Sequence, residues 1–232
     1  MSEILEYESS GDVAVLRLDD GKANAISPTV LEALNAALDQ AEEARQAIVL
    51  VGRPGKFSAG FDLGVMREGG PEKAQQMVLG GARLALRLAR HPGPVVIACT
   101  GHALAMGGVL LLASDLRIGA QGPFKIGFNE VAIGMTTPIF LLEFARERIP
   151  TRHFQRSTVQ AQIYTPDEAV ETGFLDSVVE ADQVFDVALG EAQRLAKLPR
   201  GPYLKTRALA LAKTLDLIEE TLEADIGKAF PA

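Results

Sequence analysis

Hydrophobic and polar positions follow two periods along this chain. Up to about residue 126, short β-rich apolar runs alternate with amphipathic segments; beyond Pro138 the helical period dominates. Residues 4–7 and 13–18 flank Ser9-Ser-Gly-Asp12 and predict a hairpin. Ser27-Pro28 supplies an N-cap and a first-turn proline for a helix to about residue 44, with Val30, Leu31, Leu34, Ala37, Leu38 and Ala41 on one face. Residues 47–51 read as a buried strand, and 52–60 as a glycine-rich loop leading into Phe61-Asp-Leu63. A second amphipathic helix is predicted over 71–90, stopped by His91-Pro-Gly-Pro94. A strand over 94–100 is expected to turn directly into a buried, uncharged helix within 101–115.

Two more short strands are expected at 116–119 and 124–126. Then come helices over 139–148, 152–159, 166–172, 182–198 and 202–223, interrupted by one possible strand at 175–179. Strands alternating with helices imply an α/β fold around a mainly parallel, helix-covered sheet. The domain reading is an α/β core over 1–137 and a mainly helical region over 138–232.

Composition narrows the function. The 232 residues are 47% hydrophobic and 23% charged, enough apolar content to bury a sizeable core. A net charge of −7 speaks against a nucleic-acid binder. Cys99 is the single cysteine, which rules out an intrachain disulfide, and its apolar neighbours predict a buried structural thiol. The acidic N-terminal residues lack the pattern of a signal or transit peptide, and the longest apolar run is too short to span a bilayer. A cytoplasmic protein with no membrane partner is expected.

Several chemistries lack their signatures. No phosphate-loop motif, dinucleotide fingerprint or nucleophile elbow is present. His91, His102 and His153 are scattered without partners at metal-ligand spacing, so no metal is expected. What remains are two glycine-containing turns that each follow a buried strand. One is Phe57-Ser-Ala-Gly-Phe-Asp-Leu63, and the other is Gly101-His-Ala-Leu-Ala-Met-Gly-Gly108. Unpaired N–H groups at such turns can hold a negative oxygen.

With Lys22-Ala-Asn-Ala25, Asn129-Glu-Val-Ala-Ile-Gly134 and the stretch from Ala161 to Val179, these turns make the chain resemble the crotonase (enoyl-CoA hydratase/isomerase) superfamily. The resemblance implies a crotonase-like spiral of ββα units with a helical C-terminal region. It implies an acyl-CoA substrate, with coenzyme A as part of the substrate and no separate cofactor, and a homotrimer or dimer of trimers. The backbone N–H groups of Phe61 and Met106 would form the oxyanion hole. Met106 stands where most relatives carry glycine, so its side chain has to point away from the thioester. Lys22, Ala23, Ala25, Lys56, Ala59, Asp62, Leu63 and Gly107 would contact CoA or substrate, with Arg53 and Arg67 near the phosphates.

Glu130 falls on the second of the two glutamates that hydratases use, and Val109 on the first. Valine cannot exchange a proton, so one carboxylate remains. The Gly-x-Asn-Glu pattern at Glu130 resembles the Δ3,Δ2-enoyl-CoA isomerases more than the hydratases. Val131, Ala132 and Ile133 are expected to desolvate Glu130. The leading reading is a shift of a 3-enoyl-CoA to a 2-enoyl-CoA by this single base. The alternatives are a hydratase or another crotonase-type reaction, for which Glu68 and Glu143 are the nearest further acids, and a non-catalytic acyl-CoA-binding homologue. Because the chain ends at Ala232, the last helix over the acyl pocket is expected to be short. Lys205 and Arg207 read as solvated positions on that helix.

Overall fold

The computed structural model describes residues 4–229, so both chain ends, on which the leader and end-of-chain readings rest, lie outside the described residues. In chain order the elements are β1 (Leu5–Ser10), β2 (Val13–Leu18), α1 (Pro28–Glu43), β3 (Ala47–Val51), β4 (Gly55–Ser58), α2 (Leu63–Arg90), β5 (Val95–Cys99), β6 (Gly101–Leu104), α3 (Met106–Leu112) and β7 (Leu116–Ala120). There follow β8 (Ile126–Gly127), α4 (Ile139–Arg148), α5 (Thr151–Thr158), β9 (Ile163–Tyr164), α6 (Pro166–Glu171), β10 (Ser177–Val179), α7 (Val184–Ala196) and α8 (Arg200–Ala229).

The main sheet has the order β1-β2-β3-β5-β7-β10. Its β1–β2 hairpin is antiparallel and every later pairing is parallel. The period-2 pattern of its strands sorts side chains between two cores. Ala14, Leu16, Ile48, Leu50, Val95 and Ile97 face the large core that also holds the buried sides of α1, α2 and α3. Val13, Val15, Val49, Val96 and Ala98 face the opposite side, where Val184, Ala188 and Ala192 of α7 cover them. All of β3 and β5 is buried, as their unbroken apolar runs predict. α1 starts as expected, with the Ser27 hydroxyl accepting from Val30 N–H at 3.3 Å and Pro28 in its first turn.

Three expectations need correction. First, the glycine-rich loop and the start of the 101–115 segment contain strands: β4 and β6 belong to a second sheet, ordered β4-β6-β8-β9. These strands are two to four residues long, too short to show an alternation. β4 and β6 approach so closely that a Cβ on Gly101 would sit 1.9 Å from the Gly55 carbonyl carbon. Second, α2 begins at Leu63, eight residues ahead of Pro71. Asp62 caps it by accepting from the N–H groups of Gly64 and Val65, and the helix kinks at Gly70, where φ is +73°. The Gly69-Gly70-Pro71 sequence reads as a start when it is only a kink.

Third, the C-terminal helix extends beyond the expected 202–223, and Arg207 on it is not a solvated position. α8 runs 30 residues, and Arg207 is 11% exposed, donating to Asp115 at 2.7 Å and to the carbonyls of Gly93 and His91. Region 138–229 returns to the main sheet through β10, which pairs with β7. Among the described residues no helix is long and apolar enough to cross a membrane.

One long-range bond fixes the far end of α8. α4 has Pro138 at its N-cap and no local side-chain cap. Asp225 of α8 takes that role, its carboxylate accepting from Ile139 N–H at 2.7 Å. An acidic group at a helix N-terminus satisfies an orphan donor and complements the helix dipole. Replacing Asp225 by alanine is expected to cost about 1 kcal/mol of stability. In urea unfolding this appears as a lower midpoint with an unchanged m-value; an unchanged midpoint would show the cap to be energetically idle.

Candidate active site

The chain leaves a cavity of about 280 Å³ between α2, α3, α4 and the end of α8. Its walls include Phe61, Val78, Met106, Val109, Phe140, Leu141 and Ile226, with Glu130 among them. Among the described residues Glu130 is the only ionisable side chain in the lining. Phe61, Met106, Val109 and Glu130 are separated by up to 69 positions in sequence (130 minus 61) and meet here.

Two local backbone features leave the N–H groups of Phe61 and Met106 free. At Phe61 the chain forms a single parallel bridge with Ile26. Ile26 N–H donates to Gly60 O at 2.8 Å and Asp62 N–H donates to Ile26 O at 3.1 Å. In a parallel bridge the residue between those two peptides turns its own N–H to the other side, so Phe61 N–H faces away from Ile26. At Met106 the chain passes from β6 into α3. Ala105 takes φ +50° and ψ −121°, a conformation that favours glycine, while its N–H remains bound to Gly127 O at 3.0 Å. Met106 is the first residue of α3, so its N–H has no acceptor in the helix. Neither Phe61 N–H nor Met106 N–H has a protein acceptor among the described residues.

The two turns touch. Gly60 has φ +89°, and a Cβ there would lie 2.6 Å from Ala105 Cβ and 3.3 Å from Met106 N. Only a glycine lets the Phe61 turn approach the Met106 turn this closely. The Met106 side chain is 1% exposed, and its sulfur lies over α2 at Gly81.

Glu130 precedes a single 3-10 turn, Val131–Ile133, which is closed by Gly134 at φ +80°. The residue is 8% exposed, and its buried Oε2 has no hydrogen-bond partner among the described residues. Burial pushes its pKa up to about 7, against the opposing pull of its own N–H and that of Asn129. The source of this burial differs from the expectation. Val131 and Ile133 are 44% and 46% exposed, because the 3-10 turn projects them outward. The cavity walls brought in from α3 and α4 surround the carboxylate instead. Neither Glu68 nor Glu143 reaches the cavity lining, and Glu143 pairs with Arg146 at 3.2 Å.

The other sequence-selected residues lie outside the cavity lining. Lys22-Ala-Asn-Ala25 forms a tight loop against β4. Ala59 N–H donates to Ala23 O at 3.0 Å, and Ala25 N–H donates to Asp20 at 3.2 Å. Lys22 and Lys56 are exposed, and Arg53 pairs with Asp19 at 3.3 Å. Asp62 is occupied as the cap of α2, and Leu63 is 39% exposed beside it. Gly107 packs on β4, where a Cβ would lie 2.5 Å from Ser58 O.

Sequence reasoning passed over Asn24, which organises that loop. It is fully buried at φ +51°, its amide donating to Leu18 O at 2.8 Å and Lys56 O at 3.2 Å. An asparagine between two alanines in a turn was the available signal. The distal walls, Phe140, Leu141 and Ile226, had none beyond helical periodicity.

A spiral of strand–strand–helix units closed by C-terminal helices is the crotonase fold, and the comparisons with known proteins agree. Residues 8–227 match the family model described as enoyl-CoA hydratase/isomerase, so the chain belongs to the enoyl-CoA hydratase/isomerase family. A crystal structure of an enoyl-CoA hydratase/isomerase family protein from Pseudomonas syringae is 42% identical, with a TM-score of 0.95 over 98% of each chain. Mitochondrial enoyl-CoA delta isomerase 1 of Mus musculus is 29% identical over 96% of this chain and 78% of its own length. A putative enoyl-CoA hydratase of Thermus thermophilus is 30% identical over 87% of this chain and 81% of its own length.

A carboxylate whose folded pKa is raised binds its proton more firmly in the folded than in the unfolded chain. The favourable contribution of Glu130 is therefore complete below about 4.5 and lost as pH rises through about 7. Glu130→Gln should accordingly raise stability at pH 8 by on the order of 3 kcal/mol relative to its effect near pH 4. Thermal midpoints of both proteins across this range test the sign; a parallel pair of curves would mean that Glu130 is not desolvated.

Proposed function

We propose that this protein is an enoyl-CoA isomerase that converts a 3-enoyl-CoA into a 2-enoyl-CoA. The observation that carries the reading is a cavity whose lining holds, among the described residues, one ionisable side chain, Glu130, and Val109 where the resemblance puts a hydratase's first glutamate. In this reading the thioester oxygen accepts from Phe61 N–H and Met106 N–H. Those donors are fixed before substrate arrives and become more favourable as the oxygen gains charge; losing one such donor typically costs about 3 kcal/mol of barrier lowering.

Glu130 removes a proton from C2. The electrons of the broken C–H bond pass into a dienolate whose charge rests on the thioester oxygen. The same carboxyl group then delivers the proton to C4, and the double bond moves from C3–C4 to C2–C3. No water is added and no group leaves, so one carboxylate closes the proton balance. A base with a pKa of about 7 is well matched to this work near neutral pH. Lys22, Ala23, Ala25, Lys56 and Ala59 are the proposed hold on CoA, through the loop that is bonded to the Gly60–Phe61 turn. Trimeric assembly, or a dimer of trimers, belongs to the same reading. The hydratase alternative draws support from relatives such as the Thermus thermophilus protein.

Purified protein offered a 3-enoyl-CoA should form conjugated enoyl product, and a 2-enoyl-CoA should not be hydrated at a comparable rate. The isomerase rate should fall below pH about 7, as Glu130 becomes protonated before it can act. Glu130→Gln should lower kcat by about a thousandfold with little change in KM. Rapid hydration of the 2-enoyl-CoA, or an active Glu130→Gln protein, overturns the reading.

A further inference from the structure

The side chains of Phe61 and Met106 meet at one point on α2. A Cβ on Gly81 would lie 2.5 and 2.6 Å from Phe61 Cε1 and Cζ, and 3.5 Å from Met106 Sδ. The backbone does not explain this glycine. Gly81 has no positive φ and lies well inside α2, where glycine costs about 1 kcal/mol relative to alanine. Its buried helical neighbours Ala82 and Ala85 show that the helix accepts alanine one and four residues further on. What the position requires is room for a ring and a thioether.

That room bears on the two N–H groups. The bonds of Ile26 to the peptides on either side of Phe61, at 2.8 and 3.1 Å, hold the Phe61 backbone in place. A ring displaced from Gly81 can therefore move only about its side-chain torsions, and the open volume beside it is the cavity that Phe61 and Met106 both line. The Met106 side chain, 1% exposed, faces the same choice.

We infer that Gly81 is a positioning residue of this site: its missing side chain is the seat that keeps the Phe61 ring and the Met106 thioether out of the space in front of the paired N–H groups. The same seat accommodates a methionine at the position where most of the resembled family carries glycine. The inference rests on the proposal that a thioester oxygen binds those N–H groups.

Three readouts on intact protein test it together: kcat and KM with a 3-enoyl-CoA, the carbonyl stretch of a bound isotope-labelled saturated acyl-CoA, and the thermal midpoint. Gly81→Ala should lower kcat by about tenfold or more and shrink the downward carbonyl shift that wild type imposes. Phe61→Leu keeps the N–H group and lacks Cε1 and Cζ. The double variant Gly81→Ala/Phe61→Leu should therefore match Phe61→Leu alone in both kcat and carbonyl shift. Loss of stability without loss of kcat or carbonyl shift would make Gly81 a packing residue only and overturn the inference. A double variant that is unfolded, or that falls as far below Phe61→Leu as Gly81→Ala falls below wild type, overturns it too. Should Gly81→Ala fail to fold, the double variant decides alone. A wild-type protein with neither turnover nor carbonyl shift overturns the functional reading and this inference together, whereas an active wild type with an indifferent Gly81→Ala overturns this inference only.

Discussion

The arrangement depends on one close backbone approach, where the Gly60–Phe61 turn meets the Ala105–Met106 turn. The first turn is tied to the edge of the Ile26 segment and the second to Gly127, so each is fixed by bonds made on its outer side. Their inner N–H groups are left without protein acceptors among the described residues. Orphaned donors cost free energy in the folded chain unless something accepts from them. The strained conformation of Ala105 adds to that cost by about 1–3 kcal/mol. The parallel sheet and the large core beneath it hold both turns in place, which is how a fold can carry strain at a site.

The same tension recurs at Glu130. A carboxylate sealed among Val109, Leu141 and Phe140 is less stable charged than it would be in water, and its raised pKa measures that penalty. The penalty also makes it a stronger base than a solvated glutamate would be. Site and stability therefore pull in opposite directions at two places: at Ala105, which precedes the cavity-lining Met106, and at Glu130 in the same lining. α8 closes that cavity from the far side, anchored by Asp225 on α4 and by Arg90 on Glu219 at 2.8 Å.

Long periodic elements were legible in the sequence. α1, β2, β3, β5 and α4 appear at or within a residue of where their hydrophobic patterns place them. The second sheet was not legible, because β8 and β9 span two residues each and β4 with β6 is held by backbone approach at Gly55 and Gly101. At the site, Phe61, Met106, Val109 and Glu130 were picked out by the family resemblance, and the fold brings all four to one cavity lining. The conformational details did not. The outward turn of Val131 and Ile133 depends on a 3-10 geometry that their apolar character argues against. Asp62 is occupied as a helix cap, and α8 reaches the cavity through Ile226, contacts that only tertiary packing decides. The seat at Gly81 lies in an ordinary-looking stretch of helix, and only the positions of two distant side chains give it meaning.

The central claim is geometric: one thioester oxygen is held by two specific N–H groups with one carboxylate beside the carbon that ionises. A crystal structure of the protein with a non-reactive acyl-CoA analogue tests it most directly. The account requires the thioester oxygen at about 2.7–3.1 Å from both Phe61 N and Met106 N, with the Glu130 carboxylate against C2 and the acyl tail running toward Ile226. A thioester bound elsewhere, or in the cavity with its oxygen turned away from those two nitrogens, contradicts it.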